Sequence, residues 1–556
     1  MSSALRPLGA GPRVAGAALS RLWGLPPAAS DVLVERDLPV PIRDGTVLLA
    51  DHYAPGGLPE RPTILIRTPY GRGWASDAIM GQPLAARGYH VLVVSCRGTF
   101  GSGRPFEPMR HEAQDGQDVL DWLRERDWFE GRLATWGPSY LGFTQWALAL
   151  DPPPELRAMV VIVGFHDVAQ AGRGQGPLEF QNLLFWSDIV AHQERHHPLI
   201  GAVRAFSANR RLAPRFSTLP IDEAAATLGG DPIPFFEEWV DHETLQDPYW
   251  EPYRLGAALE SVHVPVLLVG GWYDYFIDQT LRQYETLRDR GVPTRLVVGP
   301  WTHLTVNQNI AFTESLAWFD HHVAGEGPPS PRTPVRVFVT GAESWLDLSD
   351  WPGPHIKRQP WYLNPGGRLT RDPSTHDEGS STIRYDPADP TPSVGGRLMA
   401  LEGGVQDNAP VEARADVLVF SSAPLEGPLE IRGRPAVTLH VTTDNPHVDL
   451  FCRLCDVDPK GVSRNVADRI LRRDPLHPEP GRVESVVLPL DAAAHRFRAG
   501  HRIRLQVAAG AFPRYARNLG SGEPESTGHT MRVTHQTVYF DRSRPSQVTL
   551  PVVRVP

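Results

Sequence analysis

Three cysteines in 556 residues, lysine at only two positions, and no apolar run of membrane-spanning length are what the sequence most plainly lacks. Three cysteines cannot build a disulfide framework in so long a chain, which points to a reducing compartment and a cytoplasmic location. Cys452 and Cys455 form a lone CxxC in "DLFCRLCDVD". Its neighbours alternate like a strand, no second pair follows and no helix start precedes, so neither zinc nor thiol redox chemistry is expected. Without about twenty consecutive apolar residues no transmembrane helix is expected. Arg13 and Arg21 interrupt the Ala/Gly-rich first thirty residues, so no secretory signal is expected there. Lys357 and Lys460 are the only lysines, a bias of coding rather than of physics. The net charge of −9 is spread without a basic block, which excludes nucleic acid and anionic membrane as expected partners.

What is present is a globular composition, 41% hydrophobic and 21% charged, in a chain long enough for roughly three domains. From Asp31 the sequence reads as strands, with Asp44-Gly45 between apolar runs as a two-residue hairpin signal. Short apolar runs then alternate with helical spacing: "PTILIRTPY", "HVLVVSCRG" and "RLATWGPS" are strands, and "SDAIMGQPLAARG" and "DGQDVLDWLRERDW" are the helices between them. Such alternation gives a parallel sheet covered on both faces. After Asp151-Pro152-Pro153-Pro154 it stops, and it resumes at "VPVLLVGGWYDYFIDQTLRQYETLRDRG" and "TRLVVGPWTHL". Beyond about Pro331 the chain reads as short alternating strands, beginning with "PVRVFVTG" and including "AVTLHVTTD" and "HRIRLQVAA", the signature of a β-sandwich or jelly roll. The expected class is therefore α/β, with a core over 31–150 and 256–330, a helical cap inserted over 151–255, and a C-terminal β-sandwich over 331–556.

Candidate chemistry starts at "ATWGPSYLGF". A strand running straight into a helix makes a tight turn that projects its apical side chain from the sheet edge, and the neighbours must be small. Gly137 and Gly142 supply that room around Ser139, although the second glycine stands one place later than in GxSxG. A plain strand-to-helix loop looks much the same. A serine hydroxyl also needs a neutral imidazole, and the imidazole a carboxylate. Asp274 follows one later strand and His303 the next, in the order Ser, acid, His. Taken singly, Asp274 could be a helix N-cap, as could Asp278, and His303 a loop histidine beside Trp301.

With these residues the chain resembles the cocaine-esterase-like acyl hydrolases, which are grouped with X-Pro dipeptidyl-peptidases (S15-type) and α-amino acid ester hydrolases within the α/β-hydrolase superfamily. The resemblance runs from about Val34 and rests on "DGTVLLADHYAP", "RTPYGR", "RGTFGSG", "GPSYLGFTQWALA", "GGWYDYF", "GPWTH", "WFDHHVAG" and "FPRYARNLG". It implies Ser139 as nucleophile, His303 as general base and Asp274 as its orienting acid. It also implies an oxyanion hole made by the Tyr70 hydroxyl and the Tyr140 backbone N–H, two donors aimed at charge that develops only in the transition state. Without the resemblance, Tyr70 reads as a packed aromatic.

Two departures stand out. The family usually has Asp two residues before the Arg-Gly of "RGTFGSG", where this chain has Ser95, which puts the usual pairing of Arg97 in doubt. The amino-ester hydrolases follow the catalytic acid with a carboxylate pair. Here Tyr275-Phe276-Ile277-Asp278 follows, so Phe276 is expected to bind an uncharged substrate group. "GTFGSG" lacks the Lys-Ser/Thr of a phosphate loop. His192 and His196 in "AHQERHHP" stand four apart, but Glu194 is misplaced for HExxH and neither it nor His197 completes a ligand set, so a solvated cap helix and no metal are expected.

The expected activity is hydrolysis of small-molecule esters, or amides, through an acyl-enzyme, with no cofactor. The protein partner compatible with the sequence is a second copy, in a homodimer. The alternatives are an X-Pro dipeptidyl-peptidase or acylase and, from another class, an inactive ligand-binding protein whose jelly roll is the functional part.

Overall fold

The computed structural model describes residues 5–58, 60–195, 207–226, 233–326, 333–473 and 481–554. Among them, the first sheet comprises β1 (Arg6–Pro7), β2 (Val32–Pro41), β3 (Val47–Pro55), β4 (Thr63–Thr68), β5 (His90–Ser95), β6 (Leu133–Pro138), β7 (Leu156–Ile162), β8 (Val266–Tyr273), β9 (Thr294–Thr302), β10 (Val335–Val339) and β11 (Ser344–Leu348). Their spatial order is β1-β2-β3-β5-β4-β6-β7-β8-β9-β10-β11.

From β5 through β10 every pairing is parallel. Parallel neighbours need crossover connections, and these place helices on both faces. That is why β4, β5 and β8 are apolar runs without alternation: each is buried along its whole length. The crossovers include helices Glu112–Arg124, Tyr140–Leu148, Ile277–Asp289 and Gln308–Phe319. The first has Glu112 and Asp115 in its first turn and Arg124 in its last, matching the helix dipole.

Three features of the sheet differ from the sequence reading. The Asp44-Gly45 hairpin joins β2 to β3, but Ile42 N donates to Thr46 O, so the loop is Arg43-Asp44-Gly45, with Gly45 at φ 82°. β7 pairs between β6 and β8, although the strand-helix alternation stops in the sequence at Pro152-Pro153-Pro154. Those prolines occupy only the loop, and the buried parallel strand after them carries no period-2 signal. Finally, "PVRVFVTG" alternates like a sandwich strand, yet it pairs parallel to β9 and antiparallel to β11 near the edge of the first sheet. There one face meets solvent, which is what alternation records.

Between β7 and β8 the chain leaves the sheet for a helical insertion that includes Val168–Arg173, Phe180–His192, Ala208–Phe216, Asp222–Ala226 and Pro234–Asp241. The last third, from Ile356 to Val553, is a nearly all-antiparallel sandwich around Trp361, Phe420, Leu450, Phe497 and Leu505. Its strand Ala436–Thr443 buries every second residue. Among the described residues no helix is long and apolar enough to cross a membrane.

Candidate active site

β6 enters helix Tyr140–Leu148 through Ser139, which adopts φ 57° and ψ −122°, a conformation most residues avoid. Each flanking glycine has its own steric reason. A Cβ on Gly137, at φ 152°, would lie 2.3 Å from the Leu141 Cβ, where the first helical turn folds back over the strand. A Cβ on Gly142 would lie 2.8 Å from Gly164 Cα, where the helix crosses the loop after β7. Room around the serine comes from the first glycine, and the second permits close packing of the helix.

His303, just past β9, places Nε2 2.9 Å from Ser139 Oγ and Nδ1 2.7 Å from Asp274 Oδ1. Asp274, just past β8, is completely buried, and its Oδ2 accepts from the Phe276 backbone N–H at 3.2 Å. Ser139, His303 and Asp274 are thus joined in one hydrogen-bonded row.

Tyr70, beyond the end of β4, is 37% exposed as a residue, but its hydroxyl is engaged by Trp186 and Ser139. Burial pushes its pKa up to about 12, against the favourable contacts of its oxygen with Trp186 and Ser139. The hydroxyl therefore remains a proton donor through the neutral range. Trp186 Nε1, from helix Phe180–His192, donates to it at 3.0 Å, occupying an acceptor position and leaving the hydroxyl hydrogen to point elsewhere. Tyr140 is the first residue of its helix, where a backbone N–H has no intrahelical acceptor.

The Tyr140 ring is tied down as well. Its hydroxyl donates to Glu112 Oε1 at 2.8 Å and accepts from Met109 N at 2.7 Å, and its face stacks on Trp186 with centroids 6.2 Å apart. Burial raises the pKa of Glu112 while Arg67, 3.2 Å away, opposes that rise. Arg97, whose partner was in doubt, pairs with Asp115 and Asp44, each at 2.6 Å, drawing on residues distant in sequence in place of a local acid. Cys96 lies buried beside Glu112.

Ser139 opens into a cavity of about 30 Å³ whose walls are almost wholly apolar. Phe276 is one wall, stacked on Phe165 at 4.3 Å and edge-on to His303 at 5.3 Å. Leu183, Trp186 and Trp239 come from the helical insertion and Met399 from the C-terminal unit. None of these four was singled out from sequence, because no local spacing marks a residue delivered from another unit. Asp278, the one acid after Phe276, turns away to Arg397, Arg434 and Arg469 at 2.8–2.9 Å. Burial works to raise its pKa, but the three guanidiniums prevail and hold it well below the ordinary carboxylate range.

Among the described residues no group of three His, Cys, Asp or Glu side chains is placed to hold a metal ion. His192 is buried, unlike a residue of a solvated face, with its Nδ1 2.8 Å from the Asp188 carbonyl, and Glu194 is exposed. His196 and His197 lie outside the described residues. Cys452 faces the sandwich core, and the Cys455 sulfur accepts from buried Gln506.

Residues 44–305 match the X-Pro dipeptidyl-peptidase (S15) family, and residues 330–549 match the X-Pro dipeptidyl-peptidase C-terminal non-catalytic domain. The chain is 30% identical to the cocaine esterase of Rhodococcus sp. (strain MB1 Bresler), over 94% of this chain and 99% of that one. Its fold is similar to that of an aminopeptidase from the marine sediment archaeon Thaumarchaeota archaeon (TM-score 0.81, 22% identity, 94% and 97% covered). It is similar as well to that of an α-amino acid ester hydrolase (TM-score 0.78, 23% identity, 95% and 98% covered).

Proposed function

Because the chain belongs to the X-Pro dipeptidyl-peptidase (S15) family of hydrolases, we propose that it cleaves carboxylic esters of small molecules through an acyl-enzyme on Ser139. The observation that carries this reading is the row Ser139 Oγ–His303–Asp274, with contacts of 2.9 and 2.7 Å. His303 takes the hydroxyl proton as Ser139 adds to the ester carbonyl, and then gives it to the departing alcohol. Asp274, buried, orients the ring and balances the imidazolium. The Tyr70 hydroxyl and the Tyr140 N–H stabilise the oxyanion, and Phe276 packs against the acyl group. Water then repeats the sequence, with His303 as base, to release the acid.

An uncharged substrate follows from the apolar cavity and from Asp278 being spent on three arginines. A free substrate ammonium would find no carboxylate among the cavity's walls. This weighs against dipeptide release, the activity for which the family is named. The insertion between β7 and β8 is the cap, and three buried, unpaired cysteines suit a cytoplasmic enzyme.

Ser139→Ala should lower kcat on p-nitrophenyl acetate by about 10⁶, and a fluorophosphonate should label the wild-type enzyme but not the variant. Wild-type turnover in the variant would sink the assignment. A higher kcat/KM on an Xaa-Pro p-nitroanilide than on the aryl ester would select the peptidase reading.

A further inference from the structure

A groove of about 1030 Å³ crosses the C-terminal unit, between strand Ile356–Asn364 and the loop at Ala423–Pro428, and none of the residues proposed for ester cleavage lines it. Its volume is at the upper end of the range for small-molecule sites. The floor is apolar, made by Trp361, Leu369, Leu425 and Val552.

Into that floor is set Arg432, only 7% exposed. Among the described residues its guanidinium makes no hydrogen bond, and its Nε is sealed from solvent without an acceptor. The carboxylate beside it belongs to Glu430, whose Oε1 stands 3.4 Å from that Nε. The other oxygen of Glu430 already accepts two N–H groups of Arg496, at 2.6 and 2.9 Å. Two guanidiniums therefore share one carboxylate, and the groove's lining, with Arg371, Arg432, Arg496 and Arg554 against Glu426 and Glu430, carries an excess of positive charge beside an apolar surface. At the rim, exposed Arg371 lies over the Trp361 ring, 5.3 Å from its centroid.

A buried guanidinium without hydrogen-bond acceptors loses hydration that nothing around it replaces. A carboxylate offers two oxygens in the plane that a guanidinium fork fits. The excess of positive charge calls for an anion, and the floor calls for an apolar body attached to it.

We propose that this groove binds an organic monocarboxylate with an apolar body, its carboxylate on Arg432 and its chain laid along Trp361 and Leu425 beneath Arg371. The site is separate from Ser139, and its existence does not depend on the ester reading.

Decanoate titrated into the full-length enzyme by isothermal calorimetry tests the proposal. Saturable binding is expected, weakened at least tenfold by Arg432→Met and by Arg371→Gln, with ester turnover unchanged in both. Decanol, which has the chain without the charge, should bind at least tenfold more weakly than decanoate, and so should inorganic phosphate, which has charge without the chain. Arg371 is exposed, so its variant should fold even if the buried substitution does not. Decanoate affinity equal to wild type in both variants would place the ligand elsewhere and overturn the proposal. Absence of decanoate binding to the wild type, or equal affinity for decanol, would overturn it too.

Discussion

Replacing Trp186 by Phe keeps an aromatic face against Tyr140 and Trp239 but removes the N–H that reaches the Tyr70 hydroxyl at 3.0 Å. A neutral hydrogen bond of this kind contributes about 0.5–1.5 kcal/mol, so kcat should fall by roughly two- to thirteenfold. Tyr70→Phe, which removes a proposed oxyanion donor outright, should cost about 10²–10³ in kcat. The two effects are linked. If Trp186 acts by aiming the Tyr70 hydroxyl, Trp186→Phe should cost nothing further once Tyr70 is Phe. The pH profile separates aiming from ionisation. Burial raises Tyr70 to about 12 and the Trp186 contact acts in the lowering direction, so losing the contact moves the phenol further from titration. The deficit should therefore be constant from about pH 7 to pH 10. The assay is steady-state hydrolysis of p-nitrophenyl acetate by wild type, both single variants and the double variant. An undiminished loss from Trp186→Phe in the Tyr70→Phe background, or a change in KM alone, would refute the reasoning.

Two further outcomes follow from the same structure. Met399→Ala opens a wall of the 30 Å³ cavity, so the kcat/KM ratio of p-nitrophenyl hexanoate to acetate should rise about tenfold, and an unchanged ratio would remove Met399 from the proposed acyl site. Burial, aided by His90, holds His52 at about 3 in place of 6.5. The stability gained by keeping this imidazole neutral is complete above pH 6.5 and is lost as pH falls toward 3. Between pH 6.5 and 4.5 the loss is about 2–3 kcal/mol, and a Tm series in His52→Gln should show a correspondingly shallower slope than wild type.

What could be read from sequence is what neighbouring residues determine. Apolar runs interrupted by helical spacing foretold the parallel sheet, and Ser139, Asp274 and His303 each stood just past such a run. Tyr70 was legible only through the likeness of "RTPYGR" to a family. Trp186, Trp239 and Met399 carried no local signal, because each reaches the cavity from a separate unit, and a helix-borne tryptophan in "LLFWSDIV" looks like any packed aromatic. The Tyr140 ring carried no local signal either: Glu112 and Met109, which hold it, lie some thirty residues upstream. The edge strand Val335–Val339 misled because alternation reports exposure of one face, and a sheet edge and a sandwich strand share it.

Asp278 lies four residues after Asp274, and its three clamps arrive much later, at Arg397, Arg434 and Arg469. During synthesis, Ser139, Asp274 and His303 all leave the ribosome well before those arginines exist. A nascent chain therefore holds its whole proposed catalytic set while the helix that follows the acid loop still carries an unneutralised carboxylate. Competence should come as a late event, timed by the last of those arginines emerging rather than by the histidine.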